Sequence, residues 1–316
     1  MNDQARASTD PLDAIVAQAA RLGPLEVAIP APAPEPVLQG VQEAMKALLV
    51  RPILVGDSTE IRRAWAALRL GTPPDIVTPQ ADESALDCAV RLVREGHARA
   101  LAKGGLHTDV LMHTVLRELS RDGLVSHVFV LGLRGRRTPL LVTDAAVNIS
   151  PDLRTKAAMA RNAVALAHRL GIARPRLAAL SAVAEVRPRL SSSVDAACLA
   201  KMGQRGQLGE ALVDGPLALD NAISGQAAQI KGIDGPVAGE ADILLVPNIE
   251  AGNILVKALV HLAGAMPGGV VMGADVPVLL TSRSDPPRAR LVSAALASIV
   301  AGPALRHEYK YKGEVS

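Results

Sequence analysis

Short runs of β-branched and aliphatic residues alternate along the chain with longer stretches of helical period. That is the pattern of βα units built on a mainly parallel sheet. Strands are predicted over residues 25–29, 52–55, 75–77, 127–131, 140–143, 177–181 and 242–246, each bounded by Gly, Pro, Ser or Asp. Helices are expected behind capping residues: Ser58 before 59–70, Asp82 before 83–94, and Ser150 before Pro151, with a helix over 152–170 that stops at Gly171. Two more are expected over 254–263 and 288–300. The fold class is therefore α/β.

Two apolar runs between His127 and Thr143 flank the basic stretch RGRRT at 134–138, which reads as an antiparallel ribbon with a charged tip. Such a ribbon interrupts the parallel pattern, and a domain boundary is placed near residue 140. The Pro-rich stretch 30–36 is too short to link independent domains and reads as a rigid loop after the first strand. No repeat of fixed period is present.

A chain of 316 residues can bury two cores of ordinary size. With 49% hydrophobic and 21% charged residues it has the balance of a globular protein. Its longest uncharged apolar runs, such as 243–247 and 291–300, are far shorter than the roughly 20 residues of a membrane span. The polar stretch from Met1 to Asp10 has neither the basic start nor the apolar region of a secretory signal, so a cytoplasmic location and no membrane contact are expected. Cys88 and Cys198 lie among apolar helix-like residues and read as reduced core positions. The net charge is +3, the basic residues are scattered, and only Trp65, Phe129, Tyr309 and Tyr311 could stack on bases. No nucleic-acid partner is expected. Acidic small molecules remain as substrates.

Two stretches carry the candidate chemistry. From Ala241 to Leu259 a buried strand leads through a turn with Asn248, Glu250, Gly252 and Asn253 into a helix with Lys257 in its first turns. Ligands of open α/β sheets bind at strand carboxyl ends, and the free N–H groups of a following helix favour an anion such as phosphate. The same stretch also reads as an ordinary βα turn in which Asn253 caps the helix. From Val276 to Asp285 an apolar strand ends in hydroxyl, guanidinium and carboxylate groups, where Arg283 offers a planar fork for two phosphate oxygens. The plainer reading is a surface Arg283 paired with Asp285. His107 and His113 stand six residues apart, point to different helix faces and make a poor metal pair, so no metal site is expected. Lys103 sits in a glycine-containing loop from which it could reach an anion. Phosphate-loop, GxGxxG, GxSxG and HExxH signatures are absent from the sequence.

At these two stretches the sequence resembles the phosphate acetyltransferase and phosphate butyryltransferase family, whose members carry LLVPxxEAGNxLxKAL followed by GAxVPxxLTSRxD. The matching positions are Leu244 to Leu259 and Gly273 to Asp285. The resemblance extends to KGGLHTDVLM from Lys103, PLLVTDAAVNISPDLRTK from Pro139, LSAVAEVRPRLSSSVDAACLAKM from Leu180 and VDGPLALDNAISGQAA from Val213. It covers roughly residues 90–302.

The resemblance implies two α/β domains with a cleft between them, like isopropylmalate dehydrogenases: residues 1–140 with 288–316, and residues 141–287. It implies a homodimer or larger homo-oligomer. It also implies reversible acyl transfer between coenzyme A and inorganic phosphate, with coenzyme A as a substrate and no cofactor. Acetyl is the favoured acyl group and butyryl the alternative. Arg283 would clamp phosphate and Ser282 would hydrogen-bond the thiol or the tetrahedral oxygen. The acetyltransferase branch carries an aspartate where this chain has Arg288 or Ala289, so Asp285 is the candidate base or the partner that orients Arg283. Thr108, Lys103, Asn248, Glu250, Gly252 and Asn253 are the candidate substrate-binding residues. The rival from another class is a hydroxyacid dehydrogenase on a similar fold, which would need a carboxylate cluster for a divalent metal.

Overall fold

The computed structural model describes residues 10–120, 124–280 and 285–302. The first part of the chain runs α1 (Pro11–Ala20), β1 (Leu25–Pro30), α2 (Glu35–Lys46), β2 (Val50–Val55), α3 (Ser58–Ala67), β3 (Asp75–Val77), α4 (Ala85–Arg94), β4 (Ala100–Ala102) and α5 (Thr108–Glu118). A hairpin follows, β5 (Ser126–Gly132) and β6 (Leu140–Thr143). The chain continues through α6 (Leu153–Arg169), β7 (Arg176–Leu180), α7 (Ser191–Gln204), β8 (Leu212–Leu217), α8 (Leu219–Ile223), α9 (Gly225–Ile230), β9 (Ile243–Leu245) and α10 (Ile249–His261). It closes with β10 (Met266–Met272), β11 (Val278–Leu279) and α11 (Pro287–Ala301).

Among the described residues all eleven strands join one sheet in the order β3-β2-β1-β4-β11-β10-β5-β6-β9-β7-β8. Parallel pairing holds β3 through β11 on one side and β6 through β8 on the other. Between these blocks β10 pairs antiparallel with both β11 and β5, and β5 pairs antiparallel with β6. The ribbon expected around RGRRT is the β5–β6 hairpin, and it lies at the middle of the sheet.

The expected strands are present, with boundaries shifted by a residue or two. Strands β4, β8 and β10 were not predicted. Strand β4 is three small or aliphatic residues, β8 contains Asp214, Gly215 and Pro216, and β10 contains Pro267, Gly268 and Gly269. Each carries turn-like or neutral residues, and pairing within a buried sheet overrides those weak local preferences.

Helix starts differ from the predicted caps. Asp57, not Ser58, caps α3; Ser84, not Asp82, caps α4; and Asp152, not Ser150, caps α6. In each case the side-chain oxygen accepts a first-turn N–H, which satisfies one of the helix's orphan donors. Helix α11 returns to pack on α1 and α2 and covers β10. Arg288 bridges to Asp10 and Asp13, and Ser298 Oγ donates to the Leu49 carbonyl at 3.2 Å. Cys88 is fully buried, and desolvation raises its thiol pKa, in keeping with a packing role. Among the described residues no helix is long and apolar enough to cross a membrane.

Candidate functional site

The two antiparallel junctions leave a cleft of about 470 Å³ against β5 and β10. Helix α10 forms one wall, contributing Asn253, Val256, Lys257, Val260 and His261. These positions recur at helical spacing, so a single face of α10 looks into the cleft. The opposite wall holds Thr108 at the start of α5, Leu280 after β11, and Asp285, Pro286 and Ala289 at the start of α11. His127 and Phe129 of β5 and residues 267–269 of β10 form the floor.

Two helices thus begin at this cleft, and among the described residues no side chain caps either of them. At α5 such a start keeps first-turn N–H donors and the positive end of the helix dipole for an anion, whereas Pro286 and Pro287 bring no N–H to the start of α11 and the Ala289 N–H is taken by the Pro286 carbonyl. Helix α10 differs, because Asn248 Oδ1 accepts the Ala251 N–H at 2.9 Å and caps it. The cap is Asn248 rather than Asn253. Asn253 is thereby free to line the cleft, and its amide donates to the Ala145 carbonyl at 3.3 Å.

The loop after β6 fixes where α10 lies. Asp144 is fully buried, and its carboxylate accepts the main-chain N–H groups of His127, Ala146, Val147 and Asn148 and the Asn148 amide. Against that loop, a Cβ at Gly252 would stand 2.8 Å from Val246 Cγ2 and 2.9 Å from the Asp144 carbonyl oxygen. Only glycine permits this approach. The glycine of the AGN segment therefore sets the distance between helix and loop, instead of reaching into the cleft itself.

Of the residues singled out from sequence, Thr108, Asn253 and Asp285 come together on the cleft lining, with Lys257 beside them. Lys103, Asn248, Glu250 and Gly252 lie outside it. The Lys103 N–H donates to the Leu279 carbonyl at 3.0 Å, which sets that loop beside β11. Ser282 and Arg283 lie outside the described residues. Where the acetyltransferase branch has an aspartate, Ala289 lines the cleft while Arg288 pairs with Asp10 and Asp13 of the α1 region. Among the described residues no three His, Cys, Asp or Glu side chains group as metal ligands.

His127 was missed by sequence reasoning. It is 4% exposed, its Nδ1 has no hydrogen-bond partner among the described residues, and its ring meets Phe129 edge-on with centroids 4.3 Å apart. Burial holds its pKa down at about 4, against the opposing pull of the Asp144 charge. The imidazole is therefore neutral at neutral pH. An isolated histidine inside an apolar strand gives no spacing signal; the only clue is its alternation with Phe129 on one face of β5.

The family model described as "Phosphate acetyl/butaryl transferase" matches residues 80–298. The chain belongs to that family. It is 44% identical over 293 residues to a phosphate acetyltransferase of Rhizobium meliloti, a match covering 92% of this chain and 93% of the relative. It is 42% identical over 280 residues to a phosphate butyryltransferase of Clostridium beijerinckii, covering 87% and 93% respectively. Among solved structures, a branched-chain phosphotransacylase from Enterococcus faecalis superposes with a TM-score of 0.76 at 33% identity, covering 88% of this chain and 99% of that one. The α/β fold and the enzyme class follow: the chain is a phosphate acyltransferase.

Proposed function

We propose that the chain transfers an acetyl group reversibly between coenzyme A and inorganic phosphate, with butyryl as the alternative acyl group. In the synthetic direction the coenzyme A sulfur attacks the carbonyl carbon of the acyl phosphate. The carbon–oxygen bond to phosphate then breaks, its electron pair leaves with inorganic phosphate, and the thiol proton passes to a base. The observation that carries this reading is the convergence of Thr108, Asn253 and Asp285 on one cleft, beside the start of α5 with its first-turn N–H groups.

The reaction makes three demands. A thiol of pKa about 8.5 needs a base or a positive field, the leaving phosphate needs fixed charge, and the carbonyl oxygen needs donors as it gains charge. Asp285 on the cleft wall is the base in this reading. Ser282 and Arg283, two and three residues ahead of it in the chain, supply the hydroxyl and the phosphate clamp. The first-turn N–H groups of α5 add donors beside Thr108, and Asn253 contributes from the facing wall. Lys103, Asn248, Glu250 and Gly252 act by holding the surrounding loops.

The same reading places the protein in the cytoplasm as a homodimer. Ile254 on α10 and Leu262 just after it are 69% and 87% exposed, and a second copy would cover such an apolar surface. Domain boundaries near residues 140 and 287 accord with the switch to antiparallel pairing at β5 and β10.

Arg283→Gln tests the proposal. Thiol release from acetyl-CoA, or its consumption in reverse, should vanish in that variant while its circular dichroism and thermal melting match the parent. Full turnover would remove the clamp. Absence of phosphate-dependent turnover in the parent protein with every short acyl-CoA would remove the function.

A further inference from the structure

The main chain of His127 is fully engaged. Its N–H donates to the Asp144 carboxylate at 3.1 Å, and its carbonyl accepts from Thr143 Oγ1 at 3.0 Å. Its Nδ1, by contrast, is enclosed and has no partner among the described residues, although most buried side-chain polar atoms are paired. An orphan of this kind on the floor of a substrate cleft points to a role outside packing.

Because Nδ1 is sealed in, the ring meets the cleft through its opposite edge. That edge lies against Gly269 of β10, which also lines the cleft: a Cβ at 269 would stand 2.7 Å from Nε2 and closer still to Cε1. Any side chain at 269 would push the edge aside, so glycine leaves it its place. Phe129 meets the imidazole at an interplanar angle of 60° and fixes the plane of the ring. A neutral imidazole carries one N–H. An enclosed N–H without an acceptor is rarer in proteins than an enclosed lone pair, which assigns the lone pair to Nδ1 and the proton to Nε2. The floor therefore presents one fixed N–H donor.

An imidazole in an acyl-transfer site can act as base, as cation or as neutral donor. Burial holds this ring near pKa 4, too low to draw the proton from a thiol near 8.5 and too low to supply a cation for phosphate. The neutral donor remains. Its natural acceptor is the acyl oxygen, which is uncharged in the substrate and gains charge as sulfur attacks. A donor already desolvated and fixed in direction needs no reorganisation at that moment.

We propose that His127 is a catalytic residue of the acyl transfer, donating from Nε2 to the acyl carbonyl oxygen as that oxygen gains charge. The sulfur–carbon bond forms while the carbonyl π pair moves onto oxygen. The pair then returns, the carbon–oxygen bond to phosphate breaks, and the proton stays on Nε2 throughout. The inference rests on the acyltransferase reading above and adds a donor to it.

The test is phosphate-dependent thiol release from acetyl-CoA by the parent, His127→Leu, His127→Asn and His127→Gln proteins. A Gln amide nitrogen can take the place of Nε2, an Asn amide only that of Nδ1, and Leu neither. In His127→Leu and His127→Asn kcat should fall about a hundredfold or more, with the KM for acetyl-CoA within about threefold of the parent. His127→Gln should recover at least about tenfold of that loss. A kcat within about threefold of the parent in folded His127→Leu or His127→Asn overturns the proposal. So do equal losses in all three variants, or a loss confined to KM, because either is what a packing role would give. If the variants do not fold, the parent labelled with 15N-histidine decides. The ring that stays neutral at pH 5 should be protonated on Nε2, and its signal should move when acetyl-CoA is added without phosphate; an Nδ1–H ring or an unmoved signal overturns the assignment. Inactivity of the parent on both acetyl- and butyryl-CoA would instead strike the acyltransferase reading, so the two failures are distinct.

Discussion

The side-chain amide of Asn253 donates to the main-chain carbonyl of Ala145 across 3.3 Å, and this bond ties helix α10 to the loop that follows β6. Those two elements meet at the cleft, since Asn253 and the neighbouring Ala146 both line it. The helix wall and the loop are therefore held as one unit, and changes at their contact should affect stability and substrate handling together.

Gly252→Ala tests that contact. The added methyl would stand 2.8 Å from Val246 Cγ2, 2.9 Å from the Asp144 carbonyl and 3.0 Å from Ala145 Cβ. Two of these neighbours belong to the loop that the buried Asp144 fixes, so α10 has to move. A loss of about 1–3 kcal/mol in urea denaturation is expected, together with a raised KM for acyl-CoA. Parent-like values in both measurements would mean that the helix yields without consequence.

His127 should make stability depend on pH. Its pKa lies near 4 in the folded protein because burial penalises the cation, against about 6.5 in an unfolded chain. Between those values the unfolded chain binds more protons, so stability is complete above about pH 6.5 and falls as pH drops towards 4. The loss is about 3 kcal/mol at most. Denaturation midpoints measured from pH 7 to pH 4 should show the decline, and His127→Leu should flatten it relative to the parent.

Lys156 and Asp195 form a largely buried ion pair, with Nζ and Oδ2 2.7 Å apart and the lysine side chain 7% exposed. Asp195→Asn leaves the ammonium without its counter-charge and should cost about 3 kcal/mol in chemical denaturation. Lys156→Met combined with Asp195→Leu removes both charges. The double variant should recover most of the loss, and additive losses would contradict the pairing.

Asp285→Asn separates the two roles open to that carboxylate. As thiol base it should contribute about a hundredfold to kcat, and the acidic limb of the pH–rate profile should disappear with it. If Asp285 only orients Arg283, the loss should fall mainly on the KM for phosphate and the acidic limb should persist.

Much of the architecture could be read along the chain because it rests on local pattern. The apolar runs that became β1, β2, β5, β6, β7 and β9 have the lengths and boundaries of buried strands, and the basic turn between β5 and β6 marked the antiparallel hairpin. Residues that cap, such as Asp57, Ser84 and Asp152, were legible as a type but misplaced by one or two positions. Several candidates stand close together at each helix start, and only the final backbone selects among them.

The sequence by itself determined the α/β class and, by resemblance, the family, and it singled out Thr108, Asn253 and Asp285, which line one cleft. Local pattern is sufficient for the class, and the family follows from the resemblance of its motifs. Tertiary structure alone decided that β10, with its Pro and two glycines, is a central strand, and that Asn248 caps α10 so that Asn253 can face the cleft. It also decided that His127 lies on the cleft floor. These outcomes depend on contacts between segments more than a hundred residues apart, such as Gly269 against His127 and Asn253 against Ala145. Local propensity carries no information about such contacts, because close packing across the sheet selects them only once both partners are in place.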